Sequence, residues 1–244
     1  MRDLFPWRYT LTKQLIKLMA AIAKPRFGSR RQPEESRAAI LTAAMQEFSR
    51  EGVAGARIDA IARQAGVNKA LLYYYFRDKD ALYAAVLDEV FGGLSAIVRP
   101  VFSLDLQPRE KLLTYVQAHF DYVASHPLYP PIVQAEMMNA GRGRATQLPR
   151  IVRQYFQPLL GHLTEVLKAG HASGEFRHVE AMQFVPSMIA VIVFYFTNAP
   201  VMQILSGKDP LAPALVAARR TAVLDFISAA LFQRPSQKIQ GVCQ

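Results

Sequence analysis

The chain has 244 residues, and 51% of them are hydrophobic, which is enough for a large core and excludes a disordered protein. Its formal net charge is +10, which favours polyanionic partners such as nucleic acid or an anionic membrane surface. The single cysteine, Cys243, excludes an intrachain disulfide and is consistent with a reducing compartment. Apolar residues recur at helical spacing in segments of ten residues or more, so we predict an all-α protein.

Residues 1–32 form a basic extension with eight basic side chains and one acidic side chain. Apolar positions from Leu11 to Ile22 predict an amphipathic helix, but Lys13 and Lys17 interrupt the continuous apolar run of a signal peptide. The open interpretations are a mobile charged tail, an arm that follows DNA, a membrane-surface helix, and a stretch upstream of the true start codon. If the tail reaches DNA, the basic residues next to the folded part would make the contact: Lys24, Arg26, Arg30 and Arg31.

A first helix is predicted from Pro33 to Gly52, because proline and two glutamates suit a helix start and glycine suits its end. Its core stripe is predicted to contain Ile40, Leu41, Ala44, Met45 and Phe48.

Two short helices follow, Ile58 to Ala65 and Asn68 to Phe76, separated only by Gly66 and Val67. The first has one apolar face, formed by Ile58, Ile61, Ala62 and Ala65. Gly66 is predicted to end it in a left-handed conformation, and Asn68 to cap the second helix. This spacing indicates a helix-turn-helix.

The second short helix has two unlike faces. Leu72 and Phe76 share one side, whereas Ala70 and Tyr74 face the opposite way, flanked by Leu71 and Tyr73. A small residue followed by exposed phenols suits an approach to base edges and phosphates. Lys69 and Lys79 lie on either side of this face, and Lys79 begins a helix whose free N–H groups favour phosphate. The alternative is a small three-helix core with aromatic filler.

The stretch from about residue 36 to residue 82 resembles the TetR-type bacterial transcriptional regulators. The matching elements are Ile61-Ala62, Ala65-Gly66-Val67, Leu72-Tyr73-Tyr74-Tyr75-Phe76, Lys79 and Leu82. The resemblance implies that DNA is contacted by Asn68, Lys69, Ala70, Leu71, Tyr73, Tyr74, Tyr75 and Lys79. This chain has Ala56-Arg57 where the family commonly has threonine, so Arg57 would supply the phosphate contact and the helix would lack its usual cap.

A long helix is predicted from Asp78 to Val98, with an apolar edge of Leu82, Val86, Val90, Leu94 and Ile97. Its length suits a link between two domains. Further helices are predicted near Pro108 to Ser125, Pro131 to Asn139, Leu148 to Ala172, Ala181 to Leu205 and Pro213 to Phe232. The predicted domains are therefore the extension 1–32, a DNA-binding domain 33–80, a ligand-binding and dimerisation domain 81–234, and a tail 235–244.

Residues 181–207 contain no charged side chain, which raises the possibility of a membrane span. Because Pro186, Asn198, Pro200 and Gln203 interrupt the stretch, a buried or interface helix is the preferred interpretation. In the resembled family the last two helices pair with their twins in a dimer, which here implies a homodimer through Ala181 to Leu205 and Pro213 to Phe232.

No phosphate loop, metal-ligand spacing or catalytic constellation is visible, so no cofactor, metal or enzymatic activity is predicted. The sequence Gly141-Arg142-Gly143-Arg144 is interpreted as an exposed loop rather than a phosphate site. The resemblance implies an effector cavity in the carboxy-terminal domain. Its candidate lining residues are Tyr115, His119 and Tyr122 on one helix face, together with Met137, Met138, Tyr155, Phe156 and His162. Ordinary core packing is the alternative for each of them.

Together these patterns predict a cytoplasmic, dimeric transcriptional regulator that binds double-stranded DNA at a palindromic operator and responds to a small, apolar or aromatic effector. Repression is the expected sign of regulation. A membrane-associated helical protein, anchored by the basic extension, is the second interpretation, and an α-helical enzyme is the third.

Overall fold

The computed structural model describes residues 33–141, 143 and 146–233, and these residues form helices joined by short loops. The helices are α1 (Pro33–Gly55), α2 (Ile58–Ala65), α3 (Lys69–Tyr75), α4 (Lys79–Phe102), α5 (Pro108–Ser125), α6 (Tyr129–Gly141), α7 (Leu148–Ile151), α8 (Gln157–Ala172), α9 (Ala181–Thr197), α10 (Ala199–Ser206) and α11 (Pro213–Leu231). A π-helical turn, Val152–Phe156, joins α7 to α8.

The all-α prediction is confirmed for these residues, whose β contact is an isolated bridge between Phe176 and Phe232. The predictions for Lys24, Arg26, Arg30, Arg31, Arg142, Arg144 and Cys243 lie outside the described residues.

Helices α1, α2 and α3 form the amino-terminal unit, and their predicted core positions are confirmed. Ile40, Leu41, Ala44 and Phe48 are buried on α1, and Met45 is partly buried. The regular part of α1 ends as predicted at Gly52, whose φ of 66° is left-handed, although one further turn runs to Gly55.

The long helix α4 extends four residues beyond the predicted end at Val98, with Pro100 inside its last turn. The predicted apolar edge is wrong at Ile97, whose side chain is 52% exposed, whereas Val98 and Val101 are buried. Proline removes one backbone hydrogen bond, but burial of the two valines holds the final turn in helical geometry.

Helix α4 joins the two parts of the molecule, because it packs against α1 on one side and α5, α6 and α8 on the other. At 1.5 Å per residue its 24 residues span about 36 Å. Helix α5 is the centre of the carboxy-terminal part, where it contacts α4, α8, α9 and α11. Side chains on α5 are therefore enclosed on several sides.

The single helix predicted from Leu148 to Ala172 is interrupted by the π-helical turn. Pro158 lies at the start of α8 and cannot donate a backbone hydrogen bond to the preceding turn. A wider turn before this proline avoids the clash between its ring and the carbonyl four residues earlier.

The single helix predicted from Ala181 to Leu205 is also wrong, because α9 and α10 are separate helices bent by 62°. The bend lies at Asn198, which has non-helical φ and ψ, and Pro200 follows at the start of α10. Among the described helices, α4 alone is long and apolar enough to cross a membrane. Helices α9 and α10 reach that length and composition only together, as a broken span. The helices packed along α4 identify it as a core helix.

Candidate nucleic-acid interface and effector site

The two predicted faces of α3 are confirmed. Leu72 and the following Phe76 are buried against the amino-terminal core. On the opposite side Ala70 is exposed, Tyr73 is 45% exposed and Tyr74 is 80% exposed. Soluble proteins have no packing reason to present two adjacent tyrosine side chains to water on one short helix, so this face is a candidate interface.

Other residues proposed for the interface are less exposed. The side chain of Leu71 is partly buried, and Tyr75 packs partly against the core with its ring edge-on to Tyr74 at a centroid distance of 5.3 Å. Tyr75 therefore contacts both the core and the exposed Tyr74 ring.

Both ends of the turn between α2 and α3 are fixed by local hydrogen bonds. Gly66 adopts a left-handed conformation with φ of 69°, its N–H donates to Arg63 O, and the Val67 N–H donates to Ala62 O. The Asn68 Oδ1 accepts a 2.7 Å hydrogen bond from the Leu71 N–H and caps α3 as predicted. These bonds hold the exposed face of α3 at a defined angle to α2.

The predicted weakness at the start of α2 is real, because the Arg57 side chain makes no cap hydrogen bond. The structure compensates with a residue that sequence reasoning missed, Glu47 of α1. Its buried Oε1 accepts from the Arg57 backbone N–H at 3.2 Å, and its Oε2 accepts from Arg50 at 2.6 Å. The Arg57 side chain remains exposed and available to a phosphate.

Two basic side chains near α3, Lys69 and Arg77, are paired with carboxylates. The Lys69 ammonium lies 2.7 Å from Asp59 Oδ1, and the hydrogen bond to Asp59 raises the pKa of Lys69. Arg77 pairs with Asp78, which also caps α4 by accepting from the Ala81 N–H. Exposed ion pairs contribute little free energy, so phosphate groups can replace these partners readily.

Lys79 is placed differently from the prediction of a free phosphate contact. Its ammonium donates to the Ala56 carbonyl at 2.7 Å and to the Ala54 carbonyl at 3.2 Å. Lys79 therefore joins the start of α4 to the end of α1.

Tyr115 and His119, one helical turn apart on α5, form the first part of the predicted effector site. Both are buried, and the Tyr115 hydroxyl lies 3.0 Å from His119 Nδ1. The Phe102 ring lies beside Tyr115 at 5.6 Å and stacks on His162 at 4.9 Å. Burial lowers the pKa of His119 to about 4 and raises that of Tyr115, so both groups are uncharged at neutral pH.

Tyr122, Tyr155 and Phe156 form a second group, which packs against the middle of α4. The Phe91 ring contacts Tyr155 at 6.2 Å and Phe156 at 5.2 Å. The Tyr122 hydroxyl donates to the Val90 carbonyl, and the Tyr155 hydroxyl donates to Asp88 at 2.9 Å. Burial raises the pKa of each tyrosine to about 12.

Met137 and Met138 do not belong to this site, because their side chains are 40% and 52% exposed. Their neighbour Glu136 instead points inward, and its Oε2 accepts a 2.7 Å hydrogen bond from the Tyr83 hydroxyl. A turn of helix cannot bury three successive side chains against one surface, so burial of Glu136 leaves the methionines outside. His162 is likewise an exposed residue that covers Phe102. Across the described ranges, no three potential metal-ligating side chains come together.

Comparison with protein-family models gives two matches. Residues 40–86 match the model described as bacterial regulatory proteins, tetR family, and residues 108–227 match the tetracyclin repressor-like C-terminal domain. The first match covers the helix-turn-helix, and the second begins with α5 and ends in α11.

Curated relatives include the HTH-type transcriptional repressor NicS of Pseudomonas putida, which is 30% identical over 168 residues, or 68% of this chain and 78% of NicS. The HTH-type transcriptional regulator RutR of Escherichia coli is 35% identical over 100 residues, or 41% of this chain and 47% of RutR.

Solved structures share the fold at lower identity. The hemolysin II transcriptional regulator HlyIIR matches with a TM-score of 0.61 and 22% identity over 83% of this chain and 100% of its own. FadR of Bacillus subtilis, solved in complex with stearoyl-CoA, matches with a TM-score of 0.61 and 22% identity over 79% of this chain and 98% of its own.

Proposed function

The chain belongs to the TetR family of bacterial regulatory proteins and is a DNA-binding transcriptional regulator, and from this premise we propose that it is an effector-responsive repressor. It binds a palindromic operator in the cytoplasm as a homodimer and leaves the operator when a small apolar or aromatic molecule binds. The family consists of regulators, which are not normally enzymes. The membrane-associated alternative is not supported by any relative described above.

The exposed face of α3 is the observation that carries the DNA-binding proposal. Ala70 lets the backbone approach the major groove, and the phenols of Tyr73 and Tyr74 provide ring faces for thymine methyl groups and hydroxyls for base or phosphate oxygens. Asn68, Lys69, Leu71 and Tyr75 complete the proposed contact surface, with Arg57 and Lys79 at its edges. Two such helices would enter successive major grooves about 34 Å apart.

The dimer proposal rests on exposed apolar side chains at the carboxy-terminal end. They are Met182 and Phe194 on α9, Val201, Ile204 and Leu205 on α10, Leu211 in the following loop, and Phe226 on α11. A groove of about 440 Å³ lies between α9 and α11, with Phe184, Met188, Phe226 and Ile227 among its lining residues. Exposed apolar side chains on consecutive helices are typical of an interface, and a second copy would cover them.

The effector proposal rests on the aromatic groups around α5. An effector that prefers one arrangement of α5 and α4 shifts the spacing of the two α3 helices, because α4 packs against both α1 and α5. Tyr115, His119, Tyr122, Tyr155 and Phe156 are the proposed lining residues, with His162 at the edge. FadR of Bacillus subtilis shows that one protein of this fold accepts stearoyl-CoA.

Selection of bound sequences from random double-stranded DNA tests the proposal. We expect two inverted half-sites with centres about 34 Å apart, or a multiple of that distance. On the selected site, Tyr74→Ala should weaken binding about tenfold without lowering the melting temperature, because Tyr74 contributes little to the core.

Met138→Ala is the matched control, since it removes an exposed apolar side chain far from α3 in sequence and should leave DNA binding unchanged. The interface assignment is wrong if Tyr74→Ala binds the site with unchanged affinity and unchanged salt dependence. Recovery of random sequences without half-sites would contradict the function itself.

A further inference from the structure

The polar pair Tyr115 and His119 lies on α5, the central helix of the carboxy-terminal part. Tyr115 and His119 are both buried, and α5 contacts α4, α8, α9 and α11. The Tyr115 hydroxyl lies 3.0 Å from His119 Nδ1, which leaves the other imidazole nitrogen, Nε2, for a further partner.

The hydrogen-bond pattern assigns the proton of this imidazole. Because burial lowers the pKa of His119 to about 4, the ring is neutral and has one donor nitrogen and one acceptor nitrogen. The Tyr115 hydroxyl and His119 Nδ1 share a hydrogen bond, and the phenol is assigned as its donor because its O–H would otherwise have no partner among the described residues. This assignment makes Nδ1 the acceptor and places the ring proton on Nε2.

His119 Nε2 is buried and has no hydrogen-bond partner in the described part of the chain, so in this tautomer its N–H is an unpaired donor. An unpaired buried donor costs about 1 to 3 kcal/mol of stability. Burial is the sole cause of the lowered pKa, so no charged neighbour contributes at this site. The group is thus an uncompensated donor in an uncharged, aromatic environment.

Two stacked rings lie between Tyr115 and the protein surface. Phe102, at the end of α4, lies beside Tyr115, and His162 of α8 stacks on Phe102 with an interplanar angle of 13°. His162 is exposed, so this stack runs from the surface to Tyr115, one helical turn from His119. A flat molecule that displaced the two rings would replace their stacking.

We propose that His119 Nε2–H donates a hydrogen bond to the carbonyl oxygen of an uncharged effector with an apolar or aromatic body. This inference rests on the effector-responsive function proposed above and specifies the chemical class of its effector. A carboxylate or phosphate would place a negative charge beside a neutral imidazole without a counter-ion, at a large desolvation cost. An effector with a cationic or N–H group at this point would place a second donor against His119 Nε2–H, and no hydrogen bond would form.

Acetophenone and ethylbenzene test the proposal, because they have similar shapes and only acetophenone carries a carbonyl oxygen. Their affinities for the full chain are measured by isothermal titration calorimetry. For the unmodified protein we expect both to bind, with a ratio of affinities that favours acetophenone. In His119→Phe the ratio should fall about tenfold, because the donor is lost. His119→Gln, which retains an N–H donor, should recover part of the preference.

Met138→Ala is the matched control, since it removes an exposed side chain outside the proposed site and leaves the donor in place. It should keep both affinities and their ratio. Circular dichroism and melting temperatures establish that each variant is folded.

Three outcomes overturn the proposal: no binding of either probe, the same affinity ratio in His119→Phe as in the unmodified protein, or an NMR spectrum that places the His119 proton on Nδ1. These outcomes leave the DNA-binding function standing if inverted half-sites are selected. Failure of that selection overturns the proposed function, whatever the probes show.

Discussion

His119 is the residue whose protonation depends most on the fold. Its ordinary pKa of about 6.5 falls to about 4 because the imidazole is buried. Below pH 6.5 the unfolded chain therefore takes up a proton that the folded chain does not. This proton uptake favours the unfolded state. The free energy of unfolding is therefore unaffected by His119 above pH 6.5 and decreases as the pH falls toward 4.

We predict that the unmodified protein loses about 3 kcal/mol more unfolding free energy per protomer between pH 6.5 and pH 4 than His119→Gln. Urea unfolding at fixed protomer concentration measures both proteins across this range. Carboxylates titrate in both proteins, so the difference isolates His119. Parallel pH profiles would show that the imidazole is solvated.

For individual residues, sequence patterns predicted the exposed face of α3 but not the hydrogen bond from the start of α2 to Glu47. Ala70, Tyr73 and Tyr74 follow from a 100° step per residue. The contact between Glu47 and the Arg57 N–H joins residues ten positions apart on different helices, and no local pattern indicates it. A glutamate on a helix ordinarily faces water, and its burial depends on the docking of α1 against α2.

Helix α4 contains two adjacent glycines near its middle, and the packing around it requires only one of them to be glycine. A Cβ atom at position 93 would overlap the Tyr122 hydroxyl, whereas one at position 92 would lie 3.4 Å from the Tyr155 hydroxyl, an ordinary contact. Gly93 therefore permits a close approach that lets Tyr122 donate to the Val90 carbonyl. Gly92 has no comparable steric requirement.

Gly93→Ala is expected to lower the unfolding free energy by about 1 to 3 kcal/mol, because the Tyr122 ring must move. Gly92→Ala should be neutral or should stabilise α4 by up to about 1 kcal/mol, since alanine is the better helix former. Chemical unfolding measures both variants. Tyr122→Phe, combined with Gly93→Ala, should recover part of the loss. Equal effects of the two alanines would argue against a specific contact at Gly93.

Element boundaries were predicted well where a cap or turn residue marks them. Gly52, Gly66 and Asn68 each lie where the sequence placed them. The errors fell on prolines inside apolar stretches. The chain continues helically through Pro100, widens before Pro158 and breaks before Pro200. Proline always removes one hydrogen bond, but packing decides whether the helix bends, widens or ends.

In the whole molecule, a buried group of three side chains, Phe48, Tyr83 and Glu136, links α1 to α6 through α4. Tyr83 of α4 lies edge-on to Phe48 of α1, with ring centroids 5.1 Å apart, and donates to Glu136 of α6. Glu136 is buried, and its Oε1 has no hydrogen-bond partner within the described residues. Tyr83 and Glu136 therefore connect α6 to α1, and a movement of α6 would be transmitted to α1 through them.

Tyr83→Phe is predicted to lower the unfolding free energy by about 2 to 3 kcal/mol, because a buried carboxylate loses a charge-assisted hydrogen bond. Combination with Glu136→Gln should cost less than the sum of the single changes, since the glutamine no longer buries a charge. A double-mutant cycle from urea unfolding measures the coupling. Additive effects would show that Tyr83 and Glu136 do not depend on each other.

Dimerisation is the second property of the whole molecule that can be tested. Phe194→Asp places a charge on a side chain that is 64% exposed in one copy and is proposed to be covered by the other. We expect a monomer by analytical ultracentrifugation and a loss of operator affinity of at least about a hundredfold, because one half-site binds weakly alone. Met138→Asp, outside the proposed face, should remain dimeric. A dimeric Phe194→Asp would contradict the assignment.

The sequence alone determined the helical class, the helix-turn-helix and its outward face, because each depends on residues within a few positions of one another. Only the tertiary structure decided that Glu136 turns inward while Met137 and Met138 face water, that Lys79 donates to the end of α1, and that α9 and α10 bend apart. These outcomes depend on which helix packs against which. Local spacing gives a helix its faces, and the partners that cover those faces come from distant parts of the chain.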